Sequence, residues 1–293
     1  MNLYDKILIT GGGGMLGHAL SDLLRARGYN PTTVSRAQLD IADSAALEKS
    51  FAENKPTLVL NCAAHTKVDL CEQETEKANA INGHAVEHLA ALCRSQNTAL
   101  VHISTDFVFD GSSSRPYLPN DPVHPLSAYG KSKLLGEHAI QNSPPPRWLI
   151  VRTAWVYGRH GANFPRTMVQ AARAGKPLTV VSDQIGSPTC TTDLAAGILD
   201  LLDTGAVGLW HITNSGQTNW YDFARATLEE FAVPADISPI SSASWAKSRP
   251  TSAIRPGYSV LDLTSLQRQI GRPMRPWREA LADFHRSVER DGF

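Results

Sequence analysis

The stretch that most constrains the fold is a glycine-rich segment near the start of the chain. The apolar run 6–10 (KILIT) leads directly into 11–17 (GGGGMLG), and leucines then recur at helical spacing up to Gly28. This order predicts a strand, a tight turn and a helix. Glycines at three-residue spacing let the backbone approach a pyrophosphate and pack the helix against the strand. The segment therefore predicts a dinucleotide site at the start of the helix, the alternative being a glycine-rich loop without a ligand.

Strands and helices alternate through the first half of the chain. The runs 57–64 and 99–105 are almost entirely apolar, as in strands that are buried on both faces of a parallel sheet. After Tyr157 the pattern changes and no second glycine motif appears. We therefore predict an α/β fold, a Rossmann-type doubly wound parallel sheet with a smaller mixed C-terminal substrate-binding lobe. The predicted domains are 1–157 and 158–293, with an approximate boundary that the chain is free to cross.

The residues after the second predicted strand bear on the choice of cofactor. Arg36 occupies the region in which a carboxylate would bind the ribose 2′-hydroxyl of NAD. Because a guanidinium pairs with a 2′-phosphate, Arg36 favours NADPH over NADH, although it also fits a solvated surface residue. The small residues Ala63 and Ala64 leave room for a flat cofactor. The predicted cofactor contacts are Gly11, Gly14, Met15, Leu16, Gly17, Arg36, Asp40, Ile41, Ala63, Ala64, Thr66, Tyr129 and Lys133.

Tyr129 and Lys133 are the candidate catalytic pair. They lie four residues apart in a predicted helix, so both side chains project from one face. The predicted strand that precedes this helix ends at Thr105, which supplies a third polar group. A phenol beside an ammonium has a lowered pKa and can exchange protons near neutral pH. The alternative is a surface Tyr and Lys on an amphipathic helix.

Composition excludes several classes of function. The 293 residues carry 28 basic and 28 acidic side chains, so no charge field favours nucleic acid or an anionic membrane. No apolar run approaches about 18 residues, and the N-terminus lacks the features of a signal peptide. The four cysteines form no CxxC pair, which predicts buried reduced thiols, a cytoplasmic location and no metal site. We interpret His102, inside an apolar run, as a hydrogen-bonded structural histidine.

Eight motifs in this order resemble the extended short-chain dehydrogenase/reductases, and within them the dTDP-4-dehydrorhamnose reductases. The resemblance covers nearly the whole chain. Two of the motifs, STDFVFDG and DQIGSPT, distinguish this group from the sugar-nucleotide 4-epimerases, which share the Tyr/Lys pair. The motifs are GGGGMLG (11–17), LDIAD (39–43), NCAAHTKVD (61–69), STDFVFDG (104–111), YGKSK (129–133), RTAWVYG (152–158), DQIGSPT (183–189) and RPGYSVLD (255–262).

The resemblance implies a reaction and roles for the catalytic residues. NADPH or NADH would deliver hydride to the C4 ketone of a dTDP-linked 6-deoxy-4-keto sugar, giving dTDP-L-rhamnose or a relative. Tyr129 would donate the proton to the new alkoxide. Lys133 would lower the pKa of Tyr129 and hydrogen-bond the nicotinamide ribose. Thr105 would hydrogen-bond and orient the same carbonyl.

The resemblance also implies substrate contacts. Asp106 and Trp155 would contact the sugar, although Trp155 also fits core packing. Asn163, Gln184 and Arg255 would contact the nucleotide diphosphate. The loops that choose the base and the sugar would be residues 106–126 and 240–258.

The chain departs from the family at one point. Some members dimerise through a magnesium ion that acidic residues hold, one of them in the glycine turn. Here that turn carries Met15, and the corresponding later stretch, 189–192, reads TCTT. We therefore predict a monomer or weak homodimer without a magnesium bridge.

Two alternatives to the favoured reaction stay open. In the first alternative, the substrate is another dTDP- or GDP-linked keto-deoxysugar. In the second, the chain is a non-catalytic NADP-binding regulatory subunit resembling that of methionine adenosyltransferase. Thr105, Tyr129 and Lys133 are all intact, which argues against the second alternative.

Overall fold

The computed structural model describes residues 3–289 and is built on a six-stranded parallel sheet. The strands in spatial order are β2 (Thr32–Val34), β1 (Ile7–Thr10), β3 (Leu58–Asn61), β4 (Ala99–Thr105), β5 (Trp148–Thr153) and β10 (Gly208–His211). The helices around it are α1 (Met15–Ala26), α2 (Ser44–Asn54), α3 (Val68–Gln73), α4 (Thr75–Asn79), α5 (Ala85–Ser95), α6 (Ala128–Asn142), α8 (Thr191–Asp203) and α11 (Thr264–Ile270). This architecture confirms the predicted doubly wound α/β fold.

Apolar side chains alternate between the two faces of the sheet because successive residues of a strand point to opposite sides. Ile9 and Val101 belong to the core that α1, α8 and α11 cover. Leu8 and Leu100 belong to the core that α2, α5 and α6 cover. All four are at most 1% exposed. Burial on both faces explains why these strands lack the polar alternation of a one-sided sheet.

The chain returns to the sheet late in the sequence. Helix α8 packs beside α1, and β10 then pairs in parallel with β5 at the edge of the sheet. Residues 191–211 therefore lie in the layers of the parallel sheet, although they follow the predicted boundary at residue 157. The division into two domains stays a prediction.

A second group of elements lies at the carboxyl end of the sheet. The remaining strands form three short pairs: β6 (Val156–Tyr157) with β9 (Thr189–Cys190), β7 (Leu178–Val181) with β12 (Ile237–Ile240), and β8 (Ile185–Gly186) with β11 (Thr218–Asn219). The remaining helices are α7 (Phe164–Arg173), α9 (Trp220–Glu230), α10 (Ser242–Ser248) and α12 (Trp277–Glu289). Aromatic residues dominate its core, including Tyr157, Phe223 and Phe284. Across residues 3–289, no helix has the length and apolar character that crossing a membrane requires.

A π-helical turn, Ala80–His84, joins α4 to α5. Its buried Asn82 accepts a hydrogen bond from the His65 backbone N–H at 2.8 Å and donates to the Ser132 hydroxyl at 2.9 Å. The wide turn therefore joins the loop after β3 to α6. Such turns are frequent at functional sites.

The strand order reverses between β1 and β3, and Gly11 lies at this point. Its φ is +66°, in the left-handed region, and an added Cβ would lie 2.5 Å from the Ala63 backbone nitrogen. Only glycine fits this conformation and this approach. Ligands of doubly wound folds bind at such a reversal.

We predict that Gly11→Ala lowers the free energy of unfolding by about 1–3 kcal/mol, because the methyl group adds strain to the backbone and collides with the β3 loop. Chemical denaturation measures the change. Gly13→Ala is the matched control, since a Cβ there meets nothing closer than 3.7 Å. Equal stability of the two variants would contradict the argument.

Candidate active site

A cavity of about 850 Å³ opens at the carboxyl ends of β1, β3 and β4. A volume of this order suits a dinucleotide and part of a second ligand. Every cofactor contact predicted from the sequence lines this cavity, Tyr129 and Lys133 among them, and so do three further residues predicted as catalytic or substrate contacts. Those three are Thr105, Asp106 and Trp155.

The glycine turn supplies backbone donors to one end of the cavity. Helix α1 begins at Met15 after Gly14, whose lack of a side chain leaves the first N–H groups without a side-chain cap. The first turn carries no acidic residue. Free N–H groups at the positive end of a helix form an anion site, which a pyrophosphate fits.

Arg36 and Asp40 lie at the rim of the same end. The Arg36 Nη2 is 3.2 Å from Asp40 Oδ2, and the two side chains are 68% and 39% exposed. An exposed pair of this kind contributes about 0–1 kcal/mol to stability, so Arg36 can exchange Asp40 for a phosphate at little cost. The preference for NADPH stays a prediction. The Arg36 side chain lines the cavity at the point where this prediction requires it.

The opposite end of the cavity brings together Thr105 and Tyr129. Thr105 ends β4, and Tyr129 lies in the first turn of α6, whose N-cap Ser127 accepts a hydrogen bond from the Gly130 N–H at 3.1 Å. An added Cβ at Gly130 would lie 2.3 Å from the Phe107 carbonyl oxygen. The start of α6 is thus pressed against the segment after β4, where the Thr105 hydroxyl donates to Asp106 Oδ1 at 3.1 Å.

The predicted lowering of the Tyr129 pKa is wrong for this structure. Burial raises the pKa of the Tyr129 phenol, and the negative charge of Asp106 raises it further. The hydrogen bond from Thr105 acts in the opposite direction but is the smaller effect. The Lys133 amino group instead contacts His102, with Nζ 3.1 Å from Nε2. Tyr129 is therefore a protonated phenol at neutral pH, which suits a proton donor.

Asp106 and Lys133 are both buried and both titrate nearer to neutral pH than usual. Burial raises the pKa of the Asp106 carboxyl to about 6, against hydrogen bonds from Ser259 and Thr105 that lower it. Burial also lowers the pKa of Lys133 to about 8, against the charge of Glu137, which raises it. Both groups can change charge within the range in which enzymes work.

His102 makes hydrogen bonds at both ring nitrogens, which confirms the interpretation of a hydrogen-bonded histidine. Its Nδ1 is 3.0 Å from Asn61 Nδ2, and Lys133 lies at its Nε2. Burial and the charge of Lys133 hold the pKa of His102 well below its usual value, so the ring is neutral.

A buried ion pair lies below the catalytic end of the cavity. Glu137 on α6 and Arg152 on β5 make two hydrogen bonds, of 2.6 and 2.9 Å, and are 0% and 3% exposed. Ser104 also donates to the Glu137 carboxylate. Arg152 donates to the Pro119 carbonyl at 3.0 Å, which joins the loop after β4 to the pair.

Trp155 forms one wall of the cavity in a strained conformation. Its φ is +49°, which is rare for a residue with a bulky side chain. The indole stacks on Trp220 with ring centroids 3.6 Å apart and planes 8° apart, and it covers Gly186, where an added Cβ would lie 2.5 Å from the ring. The strain and the stack fix a flat apolar surface beside the catalytic residues.

Three predicted substrate contacts lie outside the lining of the cavity. Asn163 caps α7 by accepting from the Arg166 N–H at 3.1 Å. Gln184 donates to the Ser242 hydroxyl at 3.0 Å. Arg255 pairs with Asp69 at 2.9 Å, which joins the C-terminal segment to the first turn of α3. Contacts of these three residues with a nucleotide diphosphate stay predictions.

Sequence reasoning missed several residues of the cavity wall. Most of them directly flank a residue that was predicted, and most of those named below lie inside the motifs given above, so assigning whole motifs to the cavity wall would have found them. Among them are Gly13, Ser35, Ala37, Cys62, Ser104, Phe107, Ala154 and Val156. Within residues 3–289, no group of three or more His, Cys, Asp or Glu side chains is arranged to hold a metal ion.

The chain is similar to known proteins over nearly its whole length. The sequence model of the family described as the RmlD substrate binding domain matches residues 5–290. The chain belongs to this family. Among curated members, a dTDP-4-dehydrorhamnose reductase of Streptomyces griseus is 42% identical over 282 residues, covering 94% of this chain and 91% of that protein.

Two further members of the RmlD substrate binding domain family are informative. A dTDP-4-keto-6-deoxy-D-glucose reductase of Streptomyces niveus is 40% identical, covering 95% of this chain and 96% of that protein. The crystal structure of a dTDP-4-dehydrorhamnose reductase from Bacillus anthracis, in complex with NADP, superposes with a TM-score of 0.91. It is 32% identical and covers 96% of this chain and 99% of its own.

We predict that Glu137→Gln destabilises the protein by about 3–5 kcal/mol, because it leaves the Arg152 guanidinium buried without its counter-charge. Chemical denaturation measures the loss. Glu53→Gln is the matched control, since Glu53 lies 3.9 Å from Lys49 and is 62% exposed. A loss below 1 kcal/mol for Glu137→Gln would mean that the pair is not needed.

Proposed function

We propose that this protein reduces the C4 ketone of a dTDP-linked 6-deoxy-4-keto sugar with NADPH, and that dTDP-4-dehydro-L-rhamnose is the substrate. One observation carries the proposal: Thr105, Tyr129 and Lys133 meet at one end of a cavity whose other end is a glycine turn before an uncapped helix. The names of the two Streptomyces relatives and the NADP complex of the Bacillus enzyme support the chemistry.

In this reaction the nicotinamide supplies hydride to the carbonyl carbon. Tyr129 donates its phenolic proton to the oxygen as negative charge develops there, which is general acid catalysis. Thr105 orients the same oxygen by a hydrogen bond. Trp155 presents its ring to a face of the sugar, and Asp106 accepts hydrogen bonds from sugar hydroxyls. Lys133 binds the nicotinamide ribose.

The proposal also specifies which keto sugar is the substrate. The two Streptomyces relatives are named for different keto sugars, so the family name does not choose between them. The loop 106–126 and the segment 240–258 frame the sugar end and would make the choice. A non-catalytic NADP-binding subunit is disfavoured, because such a protein has no need for a buried proton donor beside a cofactor cavity.

Location and assembly complete the proposal. The four cysteines are free thiols, which supports a reducing, cytoplasmic environment. A monomer or weak homodimer without a magnesium bridge stays the expectation, and sedimentation with and without a chelator tests it.

We predict that the purified protein oxidises NADPH when enzymatically prepared dTDP-4-dehydro-L-rhamnose is added. Tyr129→Phe should lower kcat by about 10²–10⁴-fold, because only the proton donor is removed. The decrease in NADPH absorbance measures the rate of the reaction, and NADPH fluorescence measures binding.

The control for this variant is Tyr221→Phe, which changes a tyrosine on α9 that does not line the cavity. Its kcat should stay at the wild-type value. Full activity in Tyr129→Phe would remove Tyr129 from its role. No activity of the unaltered protein with any dTDP-4-keto-6-deoxy sugar would contradict the proposed function.

We predict that Arg36→Ala weakens NADPH binding by about tenfold or more and leaves NADH binding unchanged, because a charge-assisted hydrogen bond to the 2′-phosphate contributes about 1.5–3 kcal/mol. Fluorescence titration gives both dissociation constants. Arg94→Ala, at an exposed position on α5, is the matched control. An unchanged ratio of the two constants in Arg36→Ala would exclude Arg36 from cofactor choice.

A further inference from the structure

The aromatic wall of the cavity is supported by a residue that does not itself line the cavity. Trp155 lines the cavity, whereas Trp220 does not. Their indole rings are stacked, with centroids 3.6 Å apart and planes 8° apart. Trp220 can therefore act on a bound ligand only through Trp155.

The backbone of Trp155 is in a conformation that its surroundings must enforce. Its φ of +49° lies in the left-handed region, which costs free energy for a bulky side chain. The Trp155 carbonyl accepts a hydrogen bond from the Thr189 backbone N–H at 3.2 Å. This hydrogen bond holds the backbone but does not set the side-chain torsions. The direction of the indole therefore depends on the contacts of the ring.

One pair of short strands fixes both contacts of the ring. The strands β8 and β11 are antiparallel, with Gly186 opposite Thr218. Gly186 lies directly against the indole, since an added Cβ would be 2.5 Å from Trp155 Cε2. Trp220 begins α9 two residues after Thr218. The strand pairing thus fixes Trp220 relative to Gly186, and the Trp155 ring packs against both.

Trp220 is itself held by its helix and by the core. The N-cap of α9 is Asn219, whose side-chain oxygen accepts from the Asp222 N–H at 2.8 Å. The Trp220 ring packs against Phe164, with centroids 4.6 Å apart, and against the fully buried Phe223, at 6.3 Å. The stack therefore ties the cavity wall to the aromatic core of the C-terminal elements.

We propose that Trp220 is a positioning residue for substrate binding, which holds the Trp155 ring in the orientation that the sugar requires. A flat ring contacts the apolar C–H groups of a pyranose well only when the two surfaces are aligned. This inference rests on the proposed function, since it takes Trp155 as the contact to the sugar. It gives a part in substrate selection to Trp220, which none of the sequence motifs includes.

Fluorine NMR of the protein labelled with fluorotryptophan tests the stack without substrate. The chain has six tryptophans, and the variant Trp155→Phe identifies the resonance of Trp155. Trp220→Leu should move that resonance, because the ring current of the stacked indole is lost. Gly186→Ala should also move it, since the added methyl group displaces the ring. A Trp155 resonance that stays in place in both variants would overturn the proposal.

Steady-state kinetics test the consequence for the substrate. Trp220→Leu should raise KM for dTDP-4-dehydro-L-rhamnose about tenfold, the size of one aromatic contact, and leave kcat and the dissociation constant of NADPH near their wild-type values. Trp220→Phe keeps a flat ring and should restore most of the affinity. The matched control is Trp148→Leu, since Trp148 is also half-buried but lies at the amino end of β5. An unchanged KM in Trp220→Leu, or an equal rise in Trp148→Leu, would overturn the proposal.

A double-mutant cycle separates positioning from a general loss of packing. In a Trp155→Leu background, Trp220→Leu should raise KM no further, because the side chain through which Trp220 acts is already gone. A full additional rise in that background would mean that Trp220 acts by another route and would overturn the proposal. Because the fluorine measurement needs no substrate, it decides whether Trp220 positions Trp155 even if the proposed reduction fails.

Discussion

The buried pair of Glu137 and Arg152 is the interaction on which the working parts of this molecule depend. It joins α6 to β5 and, through the Pro119 carbonyl, to the loop after β4. A buried charge that loses its partner is costly, so these three parts hold their relative positions. Tyr129 lies about two turns from Glu137 on the same helix. The ion pair thus sets the distance between Tyr129 and the loop after β4.

The two ends of the cavity are built by different means. At the cofactor end the backbone does most of the binding, since glycines expose N–H groups and the strands end together. At the catalytic end the side chains are buried, and burial shifts their pKa values. Burial keeps Tyr129 protonated and brings Asp106 and Lys133 towards neutral pH. One sheet edge therefore combines backbone donors that suit an anion with buried groups whose pKa values are shifted.

Local patterns predicted the glycine turn, the buried strands and the α6 helix, because these depend on residues close in sequence. Contacts between residues far apart in the sequence could not be predicted in this way. The pairing of Arg255 with Asp69 and the contact of Lys133 with His102 join distant segments, and no periodicity encodes them. The π-helical turn around Asn82 was also missed, since one extra residue per turn hardly disturbs a helical pattern.

The late return of the chain to its own sheet has a consequence during synthesis. Residues up to Thr153 contain five of the six strands, yet α8, which covers one apolar face, begins at Thr191. While a ribosome is still making the second half, α1 alone covers that face. The first half thus emerges as an incomplete layer, and α8 and β10 complete it only after about 60 more residues have been added at ~5–20 residues per second. For those seconds the nascent chain exposes apolar surface, which favours aggregation.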